Sequence, residues 1–190
     1  MRYCSIGPDC HSSALLKLIN LKTESYPFDW SVSSLTKILD CIEDKFTKFL
    51  DKSLYYKKEE HNAGHTHYGD KLFFHRNPLN SKEDYEYYQR CTKRFLDLLQ
   101  SDEPKTFFYT TKTPINERMI LFDSKLGDHC KNYRIICIVY NQNRPVHQYS
   151  LSIQGNIYFL TVDILSERTG SHLKNPEDTL YVSRLILTKI

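Results

Sequence analysis

Apolar and polar positions alternate over residues 2–6, the period of a half-buried strand. Leu15, Leu16, Leu18 and Ile19 then recur at helical spacing and predict a short helix over 12–21. Tyr26-Pro27-Phe28-Asp29-Trp30 interrupts with a proline and the only tryptophan. Ser33 or Ser34 is placed to cap a helix whose apolar positions are Leu35, Ile38, Leu39 and Ile42, with a further helical stretch through Phe46, Phe49 and Leu50. Residues 57–64 read as an exposed loop, and 65–75 as a short hairpin or irregular strand pair turning at Gly69-Asp70. Ser81 starts a strong helix carrying Tyr85, Tyr88, Phe95, Leu96 and Leu99 on its apolar face. Asp84 stands where a capping box prefers Glu or Gln, yet Glu83 and Asp84 still suit the macrodipole.

The rhythm changes in the second half. Residues 106–111, 134–140 and 156–162 are near-continuous apolar runs, and 116–126 is a helix ended by Gly127. Runs of that kind separated by a helix indicate strands buried on both faces of a parallel sheet. Residues 180–187 fit a final helix or an edge strand equally. The predicted fold is α/β: a three-layer Rossmann-like domain with a mostly parallel sheet and a helical/hairpin insertion in the first half. It is read as one domain over 1–190, with 55–80 as the insertion. If residues 2–6 join the sheet, the segment after them lies at a strand's carboxyl end, where open α/β sheets place ligands.

Composition narrows the class. The net charge is +3, with basic and acidic residues interleaved and no single-sign block, which argues against nucleic acid or an anionic membrane as partner. No run approaches the ~20 apolar residues of a membrane span. The start of the chain lacks the pattern of a signal peptide. Six cysteines are scattered without a CxxC pair, as expected of free thiols in a reducing compartment, and the expected location is cytoplasmic. The fourteen tyrosines cluster at Tyr55-Tyr56 and around Tyr85 to Tyr88, as amphipathic core edges or as a binding surface.

Cys10 carries the clearest chemical signal. In Ser5-Ile6-Gly7-Pro8-Asp9-Cys10-His11 it sits where a strand ends in a tight turn and a helix begins. Unpaired N–H groups and the macrodipole there favour thiolate, the nucleophilic form. Such a thiol needs a base and a group to orient it. His75 ends a hydrophobic stretch and would be held firmly, whereas His11 is adjacent to Cys10 and points elsewhere. Asp29, between Phe28 and Trp30, is an orienting acid or a structural hydrogen-bond hub. Each residue has a plainer use as well: Cys10 as a packed small residue, Asp29 as a cap, His75 bonded to a carbonyl. His61, His65, His67, Asp70 and His75 form the rival metal-binding set, with His-x-His on one strand face, but no cysteine or HExxH completes it. No GxGxxG or Walker loop supports phosphate chemistry, and the similarity of residues 5–9 to serine esterases of the SGNH type lacks the Gly-Asp-Ser order.

Four blocks together carry a resemblance: Gly7-Pro8-Asp9-Cys10, Pro27-Phe28-Asp29-Trp30, Tyr68-Gly69 followed by Phe74-His75, and Arg94-Phe95 in the long helix. The chain resembles a family of uncharacterised domains of bacteria and large DNA viruses labelled putative papain-like cysteine peptidase. The resemblance implies that Cys10 is the nucleophile, His75 the histidine and Asp29 the acid. It puts Gly7, Trp30 and Arg94 on the substrate side, with Arg94 placed to pair with Asp29. Arg76 stands where an acidic residue is expected after the histidine.

Two expectations follow. One is a thiol-dependent hydrolase acting on an acyl, peptide or isopeptide bond of a protein or peptide substrate. It uses no cofactor and no metal, and the N–H groups of the Cys10 turn form the oxyanion hole. It predicts a depressed Cys10 pKa. The other is a non-catalytic α/β binding module, such as a viral host-interaction protein, suggested by a composition typical of AT-rich genomes. It predicts ordinary Cys10 reactivity and a large exposed apolar or tyrosine patch. Neither expectation fixes an oligomeric state.

Overall fold

The computed structural model describes residues 1–59 and 62–190. In chain order it runs β1 (Arg2–Ser5), α1 (His11–Leu18), α2 (Leu35–Glu43), α3 (Thr47–Leu50), β2 (Tyr55–Glu59), β3 (Asn62–His65), β4 (Gly69–Phe73), α4 (Lys82–Gln100), β5 (Lys105–Thr111), α5 (Asn116–Leu126), β6 (Tyr133–Asn141), β7 (Gln148–Gln154), β8 (Ile157–Asp163), β9 (Arg168–Thr169), β10 (His172–Leu173) and α6 (Pro176–Lys189). This is a mixed α/β architecture around a mostly parallel central sheet.

The central sheet has the order β1-β5-β6-β8-β7. β1, β5, β6 and β8 are mutually parallel, and only β7 runs antiparallel, against β8. Successive residues of a strand point to opposite faces, and the sequence exploits this in both directions. Phe107, Ile135, Cys137, Val139 and Phe159 pack on one face under α2, α4 and α5. Phe108, Ile136, Ile138, Leu160 and Val162 pack on the other under α1 and α6. Apolar residues on both faces explain why these strands read as unbroken runs.

Helix ends follow local chemistry. Ser34 accepts from the Lys37 N–H (3.3 Å) and Ser81 from the Asp84 N–H (3.1 Å), so both expected caps form. Gly127 ends α5, as its position predicts. Residues 180–187 lie in a helix, α6, opened by Asn175 and Pro176.

Three sequence readings change. Residues 57–64 are not a loop as a whole, because β2 and β3 pair antiparallel and β4 adds to them as a separate sheet ordered β2-β3-β4. The β3–β4 turn spans 66–68, and Gly69 opens β4 at φ +90°. β7 has no counterpart among the sequence-predicted strands. Its residues are mostly exposed, so it lacks the apolar run that marks the buried strands. No helix among the described residues is long and apolar enough to cross a membrane.

Candidate active site

β1 ends where Gly7 turns the chain at φ +92°, a conformation that favours glycine. The turn is pinned from three sides. Ser12 Oγ donates to the Gly7 carbonyl (2.8 Å), the Ser33 N–H to the Pro8 carbonyl (2.9 Å) and the His11 N–H to Asp9 Oδ1 (3.0 Å). Cys10 follows as the N-cap of α1, already in right-handed helical geometry (φ −65°, ψ −15°). The tight turn delivers the thiol to the carboxyl-terminal edge of the sheet.

His75 arrives from the far side, in the segment just after β4. Its Nε2 lies 3.2 Å from Cys10 Sγ, bringing together residues 65 apart in sequence. Among the described residues no hydrogen bond holds the other ring nitrogen. The ring is instead set edge-on to Trp30 (centroids 6.3 Å) and against Phe74 (5.0 Å). An Nε2 that accepts from the thiol requires the Nδ1–H tautomer.

Asp29 is fully buried, and its hydrogen bonds run away from the dyad, to Lys22 Nζ and the Tyr26 N–H (2.7 Å). No hydrogen bond joins it to His75. Of the two uses open to it in the sequence, this is the arrangement of a hub. Burial raises its carboxyl pKa against the opposing pull of Lys22 and the Tyr26 N–H. Arg94 does not pair with Asp29. It donates to the Ser25 carbonyl (2.5 Å) and sits 3.6 Å from Glu24, because the cation that reaches Asp29 comes from Lys22, seven residues upstream. Gly7 is buried beneath Ser33 and shapes the turn. Trp30 and Arg94 both line an open cleft of about 520 Å³, which Trp30 links to the His75 ring.

The electrostatics depart from the sequence expectation of a depressed thiol pKa. Half-burial of Cys10, and then the Asp9 carboxylate, push the thiol up from its ordinary value, only partly opposed by the Cys10 backbone N–H. One helix N–H that would favour thiolate, that of His11, is spent on Asp9. Both effects favour the thiol over the thiolate at Cys10.

The histidines named as a metal set go to separate partners. His65 is buried and bonds the Lys48 carbonyl (3.0 Å), while its Nδ1 accepts from the His67 and Tyr68 N–H groups. His67 meets Asp40 (3.1 Å), Asp70 meets Tyr56 and Lys58, and His75 meets Cys10. His61 lies outside the described residues. Among the described residues no three His, Cys, Asp or Glu side chains gather to hold a metal. His11 turns from Cys10 to Tyr140 Oη (3.0 Å), and burial pushes its pKa down to about 4. All six cysteines are unpaired.

Sequence reasoning missed Arg168 in β9. It forms a two-pronged ion pair with Asp9, at 2.7 and 2.8 Å, and so closes the far side of the Cys10 turn. No local motif marks it, since the pair spans 159 positions.

The class of site defined here is a cysteine–histidine dyad at the edge of an α/β sheet. Residues 1–143 match the model of a family described as putative papain-like cysteine peptidase, and the chain belongs to that family. No curated protein and no solved structure matches it.

Proposed function

We propose that the protein is a thiol-dependent hydrolase that cleaves an acyl, peptide or isopeptide bond through Cys10. The single observation that carries this reading is the 3.2 Å approach of Cys10 Sγ to His75 Nε2, at the end of a strand in a parallel sheet. The family assignment supports it. The sheet with helices on both faces is read as a three-layer Rossmann-like core.

In the mechanism His75 Nε2 takes the thiol proton as sulfur attacks the carbonyl carbon, forming the S–C bond and an oxyanion. A thiol whose pKa is raised requires this general-base route, in which the proton leaves as the S–C bond forms. The Cys10 and first-turn N–H groups of α1 face the developing negative charge, with the His11 N–H excluded by its bond to Asp9. The intermediate collapses as the C–N bond breaks, and the imidazolium returns its proton to the leaving amine. Water then attacks the thioester, giving its proton to His75. The carboxylic acid leaves and the thiol is restored. Trp30 fixes the plane of the His75 ring, and Asp29 with Lys22 anchors the Pro27-Phe28-Asp29-Trp30 segment that carries Trp30.

The raised thiol favours the second reading, a binding module in which Cys10 is a packed residue. One measurement separates the two: the pH dependence of Cys10 alkylation by iodoacetamide in wild type and His75→Ala, with labelling located by mass spectrometry. The hydrolase reading expects alkylation at neutral pH that depends on His75. Cys10 labelling that ignores His75 leaves the binding module.

A further inference from the structure

The cleft that starts at Trp30 has a lopsided charge. Its lining holds four cations, Lys17, Lys22, Arg90 and Arg94, and one carboxylate, Glu24. Two of the cations are already engaged. Lys22 is held by buried Asp29, and Arg94 leans on Glu24, which it shares with Arg2 (3.1 Å). Lys17 and Arg90 are exposed and have no acidic partner among the described residues. They reach the cleft from two different helices: Lys17 from α1, and Arg90 from α4, where Tyr87, Arg90 and Arg94 share one face by their three- and four-residue spacing.

The cleft is in register with the dyad. Cys10 and Lys17 are seven residues apart, nearly two helical turns, so they lie on one face of α1. Seven residues of helix place Lys17 about 10 Å along the axis from Cys10. At the other end Trp30, a wall of the cleft, is the ring against which His75 is set. A ligand that lies in the cleft and extends past Trp30 would reach His75 and Cys10 while meeting two unneutralised cations within the cleft. Its volume of about 520 Å³ suits a short peptide segment.

We infer that this cleft binds an acidic peptide, with a carboxylate held between Lys17 and Arg90 about three extended residues from the carbonyl presented to Cys10. The inference rests on the thiol-hydrolase reading for the carbonyl and on the cleft alone for the carboxylate. Trp30 forms the apolar wall along which the intervening residues lie. Lys22 and Arg94, each already paired, do not compete for the ligand.

Trp30 is the only tryptophan in the chain, so its fluorescence reports this cleft alone. The experiment titrates the Cys10→Ala protein with a blocked tri-glutamate peptide, a blocked tri-lysine peptide and inorganic phosphate, following Trp30 emission. Saturable change is expected with tri-glutamate only, and Lys17→Glu with Arg90→Glu should weaken it by about tenfold or more. Lys125→Glu, a reversal on α5 outside the cleft, controls for net charge and should leave it unchanged. Arg90→Lys should retain most of the binding, which separates lost charge from lost fold. No response to tri-glutamate, a response that survives the double reversal, or equal saturation by phosphate would overturn the inference. The His75 dependence of Cys10 alkylation is read in parallel on protein with Cys10 intact. Normal His75 dependence without peptide binding rejects the cleft alone, whereas peptide binding beside a His75-indifferent Cys10 rejects the hydrolase and leaves an acidic-peptide-binding module.

Discussion

Arg168 holds Asp9 with both prongs of its guanidinium, 2.7 Å to Oδ1 and 2.8 Å to Oδ2, one residue before the thiol at Cys10. The arginine is buried, and it comes from β9, beyond the 1–143 stretch matched by the family model. Asp9 in turn accepts the His11 N–H, so the pair fixes the first turn of α1 and sets the charge beside the Cys10 thiol.

The two partners should therefore shift Cys10 in opposite directions. Asp9→Asn removes a carboxylate that raises the thiol pKa and leaves Arg168 unneutralised, so alkylation at neutral pH should speed up. Arg168→Gln leaves the carboxylate bare, so alkylation should slow. Each change should be about three- to tenfold, half to one pKa unit, with Arg168→Lys intermediate. Loss of packing alone would move both variants the same way, and pH profiles of alkylation distinguish the cases.

Phe28 and Trp30 are two residues apart and should behave oppositely. Phe28 is fully buried and packs on Phe46, Phe49 and Phe95 at centroid distances of 5.6–6.5 Å. Phe28→Ala should cost about 3–5 kcal/mol in urea unfolding. Trp30 is half-buried between His75 and the cleft. Trp30→Ala should cost less than Phe28→Ala and lower the His75-dependent reactivity of Cys10.

Acid should weaken the fold through His11. Its folded pKa is about 4, lowered chiefly by burial and then by Arg168, against an unfolded value near 6.5. The unfolded chain takes the proton first as pH falls. The contribution is thus complete above about pH 6.5 and declines toward pH 4, by roughly 3 kcal/mol. Urea unfolding at pH 7 and pH 4.5 measures it, and His11→Gln should flatten the dependence.

Gly7→Ala should destabilise the turn before Cys10. The residue sits at φ +92°, and an added Cβ would run into Ser33 Oγ. Lower thermal stability is expected with slower Cys10 alkylation. Gly7→Ala with Ser33→Ala removes the clash but keeps the strained φ, so it should recover only part of the loss.

The sequence by itself determined the elements whose local chemistry is unambiguous. The buried strands 106–111, 134–140 and 156–162 announced themselves as apolar runs, and Ser33 or Ser34, Ser81 and Gly127 marked helix ends, with Ser34 the cap that forms. Cys10 and His75 could be named as candidates because a thiol at a strand–helix turn and a histidine closing an apolar stretch are local features. Their 3.2 Å approach was decided only by tertiary structure, since it depends on β4 returning to the end of β1. The same holds for the partners of Asp29 and Arg94. Lys22 and Arg94 are both basic residues without a local signature, and only packing chooses which one reaches a buried carboxylate. β7 escaped notice because an exposed edge strand needs no apolar alternation to be held by β8. Arg168 escaped because ion pairs form through space, and a separation of 159 positions leaves no periodic trace. The depressed thiol inferred from the helix terminus failed for a related reason. A macrodipole can be read from a helix start, but the burial and the neighbouring carboxylate that outweigh it exist only in the folded chain.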